Sequence, residues 1–187
     1  MNELELKEKN HLFVKQMKDK NPFFFDELKK GQAPDYFVLS CSDSRVSPSI
    51  VTQMPLGRMF THRNIANQVD ENDGSFSASL FYALKHLGVK TIIVKGHTDC
   101  GGVKAAWSNN NDEELKPWLK NITKSLPEKG SGDYSIDTLT KLNVIKQVER
   151  IKKHPIYQQY GEGVDVVGCL FHVENGELEC VTSSFEK

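Results

Sequence analysis

Two short segments, Cys41-Ser42-Asp43-Ser44-Arg45 and His97-Thr98-Asp99-Cys100-Gly101-Gly102, hold two thiols, an imidazole, and a carboxylate two residues from a guanidinium. Cys41, His97 and Cys100 together make a ligand set for Zn²⁺: three N/S donors suit a tetrahedral ion whose fourth position holds water, whereas structural sites close with four. Two thiolates neutralise the metal formally, so such a shell polarises water less than three histidines would. Asp43 supplies what is missing. In extended chain it faces the same side as Cys41, where it accepts a hydrogen bond from zinc-bound hydroxide, and Arg45 orients it through a planar fork and keeps it ionised. The same carboxylate could bind the metal and shut the site, so Asp43 and Arg45 read as a gate. Gly101 and Gly102, opening a helix, offer backbone N–H donors to an anionic product and leave room for a small substrate.

Each half of this pattern alone is ordinary. His97-x-x-Cys100 is a weak signal, and Asp43 with Arg45 is a common ion pair; their combination with Cys41 at a strand end is specific. Cys169 and Cys180 read as small buried hydrophobes. His11, His62, His86 and His154 read as surface or core histidines, because none has a second donor at ligand spacing.

The surrounding pattern must put both segments at one place. Tyr36-Phe37-Val38-Leu39-Ser40 reads as a buried strand ending at Cys41, and Thr91-Ile92-Ile93-Val94 as a second ending at Gly96-His97. Met59–His62 is a weaker strand. Between them, Phe76, Leu80, Ala83, Leu84 and Leu87 recur at helical spacing up to Gly88. This rhythm predicts an α/β fold with a mostly parallel central sheet flanked by helices, in which ligands bind beyond the carboxyl ends of the strands. Helices follow over Gly101–Trp107, after a polar break at Ser108–Asn111 from Asp112 as cap, and from Asp137 as cap to His154, with Leu139, Leu142, Ile145, Val148 and Ile151 as the apolar stripe. Pro117 is expected to limit the regularity of the helix from Asp112, and residues 127–135 read as a mobile loop. A closing strand pair, 164–171 and 178–181, turns at Asn175-Gly176. An amphipathic helix over about 4–18 stops near Asn21-Pro22. Phe23-Phe24-Phe25 after it is either ordinary core or an arm that packs on a second subunit.

Composition bounds the rest. The 187 residues suffice for one domain with its own core. Lys+Arg 24 against Asp+Glu 25 gives a net charge of -1, which leaves no electrostatic footprint for nucleic acid or an anionic membrane. Four cysteines in a chain of this size do not read as a secreted disulfide framework. With neither a signal-like start nor a membrane-length apolar run, the expected setting is cytoplasmic.

Cys41-Ser42-Asp43-Ser44-Arg45-Val46, Thr61-His62-Arg63-Asn64-Ile65-Ala66-Asn67 and Gly96-His97-Thr98-Asp99-Cys100-Gly101-Gly102, in that order, resemble the β-class carbonic anhydrases. The resemblance runs over nearly the whole chain. It implies reversible hydration of carbon dioxide to bicarbonate and a proton, with zinc on Cys41, His97 and Cys100 and a catalytic dyad of Asp43 and Arg45. It implies one domain over 1–187, a helical arm (1–34) and a zinc-binding α/β core (35–187), in a homodimer or higher even oligomer whose arm wraps the neighbour and whose active sites draw on both subunits. Gln32 would hydrogen-bond substrate or product; Phe60, Ile65 and Tyr82 would form a small apolar pocket beside Gly101 and Gly102. Val38, Phe171 and Gln32 match the plant-like pattern, which keeps the zinc open to water near neutral pH. Arg58, in Leu56-Gly57-Arg58, departs from the acidic residue usual in that turn. Two other functions share the motif: a zinc hydrolase acting on CS₂ or COS, and a non-catalytic zinc scaffold.

Overall fold

A computed structural model describes residues 2–110 and 112–182; Asn111 of the polar break lies outside them. The chain divides into two compact units, with the boundary between Gln32 and Ala33.

The first unit is helical. Helix α1 (Glu3–Lys20) is capped by the Asn2 side chain, which accepts from the Glu5 amide at 3.0 Å, and it places Glu3 and Glu5 at its start and Lys18 and Lys20 at its end, complementing the helix dipole. It stops at Asn21, before the proline. The short α2 (Phe24–Leu28) follows, and Phe25 packs edge-on against both Phe24 and Phe13. No residue of either helix is buried, and Leu4, Leu6, Leu12 and Phe23 are exposed.

The second unit is built on a five-stranded sheet in the order β2-β1-β3-β4-β5. Its strands are β1 (Tyr36–Cys41), β2 (Met59–Asn64), β3 (Thr91–His97), β4 (Asp165–Phe171) and β5 (Leu178–Thr182). The first four run parallel, and β5 returns antiparallel at the edge. Residues 37–41 of β1 are all buried, as a parallel strand covered on both faces must be. Helix α3 (Pro48–Val51) follows β1. Helix α4 (Gly74–Phe81), capped by Asp73, widens into a π-helical segment, Tyr82–Leu87, and ends on Gly88 in the left-handed conformation (φ 63). Helices α5 (Gly101–Trp107), α6 (Lys116–Thr123), α7 (Ile136–Lys153) and α8 (Pro155–Tyr160) complete the layers.

Three local expectations fail for physical reasons. Asp112 does not cap α6: it closes a turn with the Glu114, Leu115 and Lys116 amides, and α6 starts after Leu115 with Pro117 in its first turn. A proline there forfeits no hydrogen bond and fixes a helical φ, so it starts the helix rather than limiting it. The cap of α7 is Ser135, whose hydroxyl accepts from the Thr138 amide, which frees Asp137 for the use described below.

The buried face of α7 is also rotated from the purely apolar stripe. Thr140, Asn143 and Gln147 are fully buried on it with Leu139, Val144, Val148 and Ile151, while Leu142 and Ile145 sit half-buried at its side. Every polar side-chain atom of Asn143 and Gln147 has a partner. Gln147 accepts from the Val69 amide at 2.8 Å and donates to Ser125 at 2.8 Å and to Asn143 at 2.9 Å; Asn143 donates to the Ala66 carbonyl at 3.1 Å and accepts from Gln68 at 2.8 Å. Gln147→Leu would strand the Val69 amide and Ser125, so we expect a loss of about 3 kcal/mol in urea-unfolding stability.

Candidate metal centre

The chain leaves β2 through Ile65–Asn67, where Ala66 (φ 61) and Asn67 (φ 48) are both left-handed. Non-glycine residues adopt this at a cost of about 1 kcal/mol each. Asn143 of α7 holds the turn by donating to the Ala66 carbonyl, which also accepts from Gln68 at 2.7 Å. What the turn gains is direction: the Ala66 amide points at the Cys41 sulfur, 3.4 Å away.

Cys41, at the end of β1, His97, at the end of β3, and Cys100, just before α5, bring their ligand atoms within 4.8 Å of one another, and all three residues are buried. His97 Nδ1 lies 2.8 Å from the Thr98 carbonyl oxygen. That oxygen only accepts, so Nδ1 carries the proton and Nε2 presents a lone pair. Nε2 is buried with no hydrogen-bond partner among the described residues. A buried lone pair within 4.8 Å of two sulfurs fits a zinc ion, with the Thr98 carbonyl fixing the ring as such ligands require.

The sulfurs share one proton. The Cys100 contact, with help from the Asp43 and Ala66 amides, pulls the Cys41 thiol down despite burial, and the same contact pushes Cys100 up. Zinc takes both sulfurs as thiolates, so its binding is linked to proton release from this pair. The amides of Val103 and Gly102 at the start of α5 favour the Cys100 thiolate, so these donors serve the sulfur.

Asp43 stands at the rim. Its Oδ2 is 3.8 Å from His97 Nε2. Arg45 grips both carboxylate oxygens, Nε to Oδ1 at 3.0 Å and an η-nitrogen to Oδ2 at 2.8 Å, and its amide donates to Oδ1 at 2.9 Å. This fork holds the carboxyl well below the ordinary range. Arg45 reaches on to Asp99, 3.4 Å to both a carboxylate oxygen and the carbonyl, while the Asp99 amide donates to Asp137 at 2.8 Å. Asp137 thus ties the metal loop to the first turn of α7.

Several contributors were not singled out from sequence. Arg63 braces the first loop by donating to the carbonyls of Cys41 (2.9 Å) and Asp43 (2.7 Å); its place in the second motif was its signal. Thr98 donates to Glu174 at 2.7 Å and accepts from the Val173 amide at 2.9 Å, so the β4–β5 turn clasps the metal loop. Lys95 is buried behind the site, donating to the Val46 carbonyl at 2.9 Å, 5.2 Å from the Phe171 ring. Burial pushes it down to about 8, with Arg63 adding to the shift and the Cys41 and Cys169 sulfurs opposing it. Nothing in an alternating apolar strand announces a buried cation.

The remaining candidates divide between two places. Ile65 is at the metal end: it follows Asn64, the register partner of Cys41, and its carbonyl accepts from Trp118 at 3.0 Å. A Cβ on Gly102 would stand 2.6 Å from the Ile65 side chain and 3.2 Å from that of Ala66, whereas one on Gly101 meets nothing within 4 Å. The room beside Gly102 is therefore filled by the turn. Gly102→Ala is expected to lower stability by about 1–3 kcal/mol through overpacking, with Gly101→Ala near neutral in the same urea titration.

Phe60 and Tyr82 are elsewhere. Their rings lie 5.7 Å apart, and Phe60 pairs with Phe37, four residues before Cys41. At strand spacing that is about 13 Å from the metal ligands of the same chain. Arg58 is at that far end too, paired with Asp35 ahead of β1, which accounts for its unusual charge. Gln32 ends the first unit.

A family model described as carbonic anhydrase matches residues 36–178. A carbonic anhydrase of Emericella nidulans is 37% identical over 188 residues, covering 95% of this chain and 82% of the relative. The crystal structure of a β-carbonic anhydrase from Aspergillus fumigatus matches with a TM-score of 0.88 at 30% identity, over 97% of this chain and 92% of that one. Two tetrameric β-carbonic anhydrases from Sordaria macrospora are represented by a match of TM-score 0.86 at 28% identity, covering 96% of each chain.

Proposed function

Because the chain belongs to the β-class carbonic anhydrases, zinc enzymes that hydrate carbon dioxide reversibly to bicarbonate and a proton, we propose that Asp43 and Arg45 are the residues that control the attacking water. The observation that carries this reading is the orphaned His97 Nε2 close to two cysteine sulfurs, beside a carboxylate already gripped by arginine. Cys41, His97 and Cys100 would hold the zinc, which when bound lowers the pKa of water so that hydroxide is available near neutral pH. Asp43 accepts the hydrogen bond that fixes which lone pair attacks. Both of its oxygens are engaged by Arg45, which supports the open form of the site, with the carboxylate kept from the metal.

Carbon dioxide is uncharged and has no hydrogen to donate, so an apolar pocket holds it best. Ile65 and Gly101, with Gly102 behind them, form the wall next to the ligands. Phe60 and Tyr82 complete the pocket from a second copy of the chain, and Gln32 hydrogen-bonds the substrate oxygen or the bicarbonate product. The shared pocket is supported by the distance of Phe60 from Cys41 within one chain, and the arm is supported by its exposed leucines, which need a covering surface. We take the assembly to be a homodimer or a higher even oligomer. We also take the setting to be cytoplasmic. No helix among the described residues is long and apolar enough to cross a membrane.

The test is zinc content, stopped-flow hydration of carbon dioxide, hydrolysis of COS and CS₂, and sedimentation velocity on one preparation. We expect one zinc per chain, hydration far faster than either hydrolysis, and an even oligomer. Bound zinc without hydration would leave the scaffold reading; faster turnover of COS or CS₂ would leave the hydrolase.

A further inference from the structure

Cys169 and Cys180 take no part in the metal centre. They are direct partners across the β4–β5 ladder, and their sulfurs lie 4.0 Å apart. Direct antiparallel partners have Cα atoms about 4.5–5.5 Å apart, inside the range that a disulfide spans without moving the backbone. Closing the gap takes a rotation of two side chains. The ladder is already irregular there, with its register shifting between Gly168 and Cys169.

The two sulfurs differ in access. Cys169 is buried, but Cys180 is exposed, which corrects the expectation of two buried small hydrophobes. Burial, with the neighbouring Cys180 adding to it, pushes Cys169 up to about 12. Cys180 is thus the sulfur that meets a dissolved oxidant, and Cys169 is held as a thiol against it.

We propose that Cys169 and Cys180 are a redox-active dithiol that a peroxide converts reversibly into a cross-strand disulfide. The Cys180 sulfur attacks the peroxide O–O bond, giving a sulfenic acid and one water. The Cys169 sulfur then displaces hydroxide from the Cys180 sulfur, and the Cys169 proton leaves with it as a second water. Two thiols are oxidised and one hydrogen peroxide is reduced to two waters. The bond would close the hairpin whose turn holds Thr98, stapling the clasp on the metal loop.

The experiment uses the zinc-loaded protein, one equivalent of hydrogen peroxide, and alkylation of the remaining thiols in denaturant with a chelator but no reductant. The untreated chain, with four cysteines, should take four alkyl groups and the oxidised chain two. Digestion should yield one peptide pair joined at Cys169 and Cys180, and dithiothreitol before alkylation should restore four. Cys180→Ser, a conservative change at an exposed position, should take three groups with or without peroxide. Four groups after oxidation of the wild type, a cross-link between Cys41 and Cys100, or a Cys180 bond between two chains would each overturn the proposal.

Discussion

Cys41→Ala is expected to abolish carbon dioxide hydration, to more than about a thousandfold below the wild type, and to bring zinc from one per chain to near zero by elemental analysis. Cys41 is the sulfur whose surroundings favour its charge, through Cys100 and two backbone amides. Without it the site offers one imidazole and the single sulfur of Cys100. Two donors hold zinc far less tightly than three. The fold should survive, because the Ala66 turn is still held by Asn143 and Gln68 through its carbonyl. Circular dichroism with the native helix and strand signature, beside lost zinc, is the expected pair of results; retained zinc would remove Cys41 from the ligand set.

Asp43→Ala is expected to lower kcat by about 10²–10³ while zinc content and stability change little. Asp43 accepts nothing from a buried donor except through Arg45, which is itself half-exposed, so its removal strands no buried charge. Its effect should therefore fall on kcat and leave KM nearly alone, as for a group that orients the nucleophile rather than binding the substrate. Asp43→Asn, which keeps the shape but loses the charge, should fall between. The sign of the pH dependence follows from the depressed carboxyl. Its folded value lies below the unfolded value of about 3.9, so the ion pair contributes fully above that pH and is lost only as pH falls through the folded value. A carbon-13 titration should find Asp43 ionised across the neutral range, so any acid limb of the rate profile found there would belong to another group.

How much of this was legible beforehand depended on whether a residue acts locally. Tyr36–Cys41 and Thr91–His97 announce themselves as strands because both faces are buried, and the metal ligands are legible because thiol and imidazole at strand ends have few other reasons to converge. The register of α7 was hidden. Its buried Asn143 and Gln147 look solvent-facing until the left-handed turn at Ala66 gives them partners 75 and more residues away in sequence. Asp137 looks like a cap along the chain for the same reason: its partner is the Asp99 amide, across the fold. Lys95 follows no pattern visible along the strand, since what makes it tolerable is a carbonyl and a ring supplied by other segments.

The register of β1 against β2 has one more consequence, for mixtures of defective chains. If Phe60 and Tyr82 serve the neighbour's metal, an Asp43→Ala chain and a Tyr82→Ala chain are defective in opposite halves of a site. A hybrid dimer of the two would pair one doubly damaged site with one fully wild-type site. Equal mixing after dissociation makes half of the dimers hybrid, so about a quarter of all sites should regain full activity, a recovery no mixture could give if each chain built its own pocket.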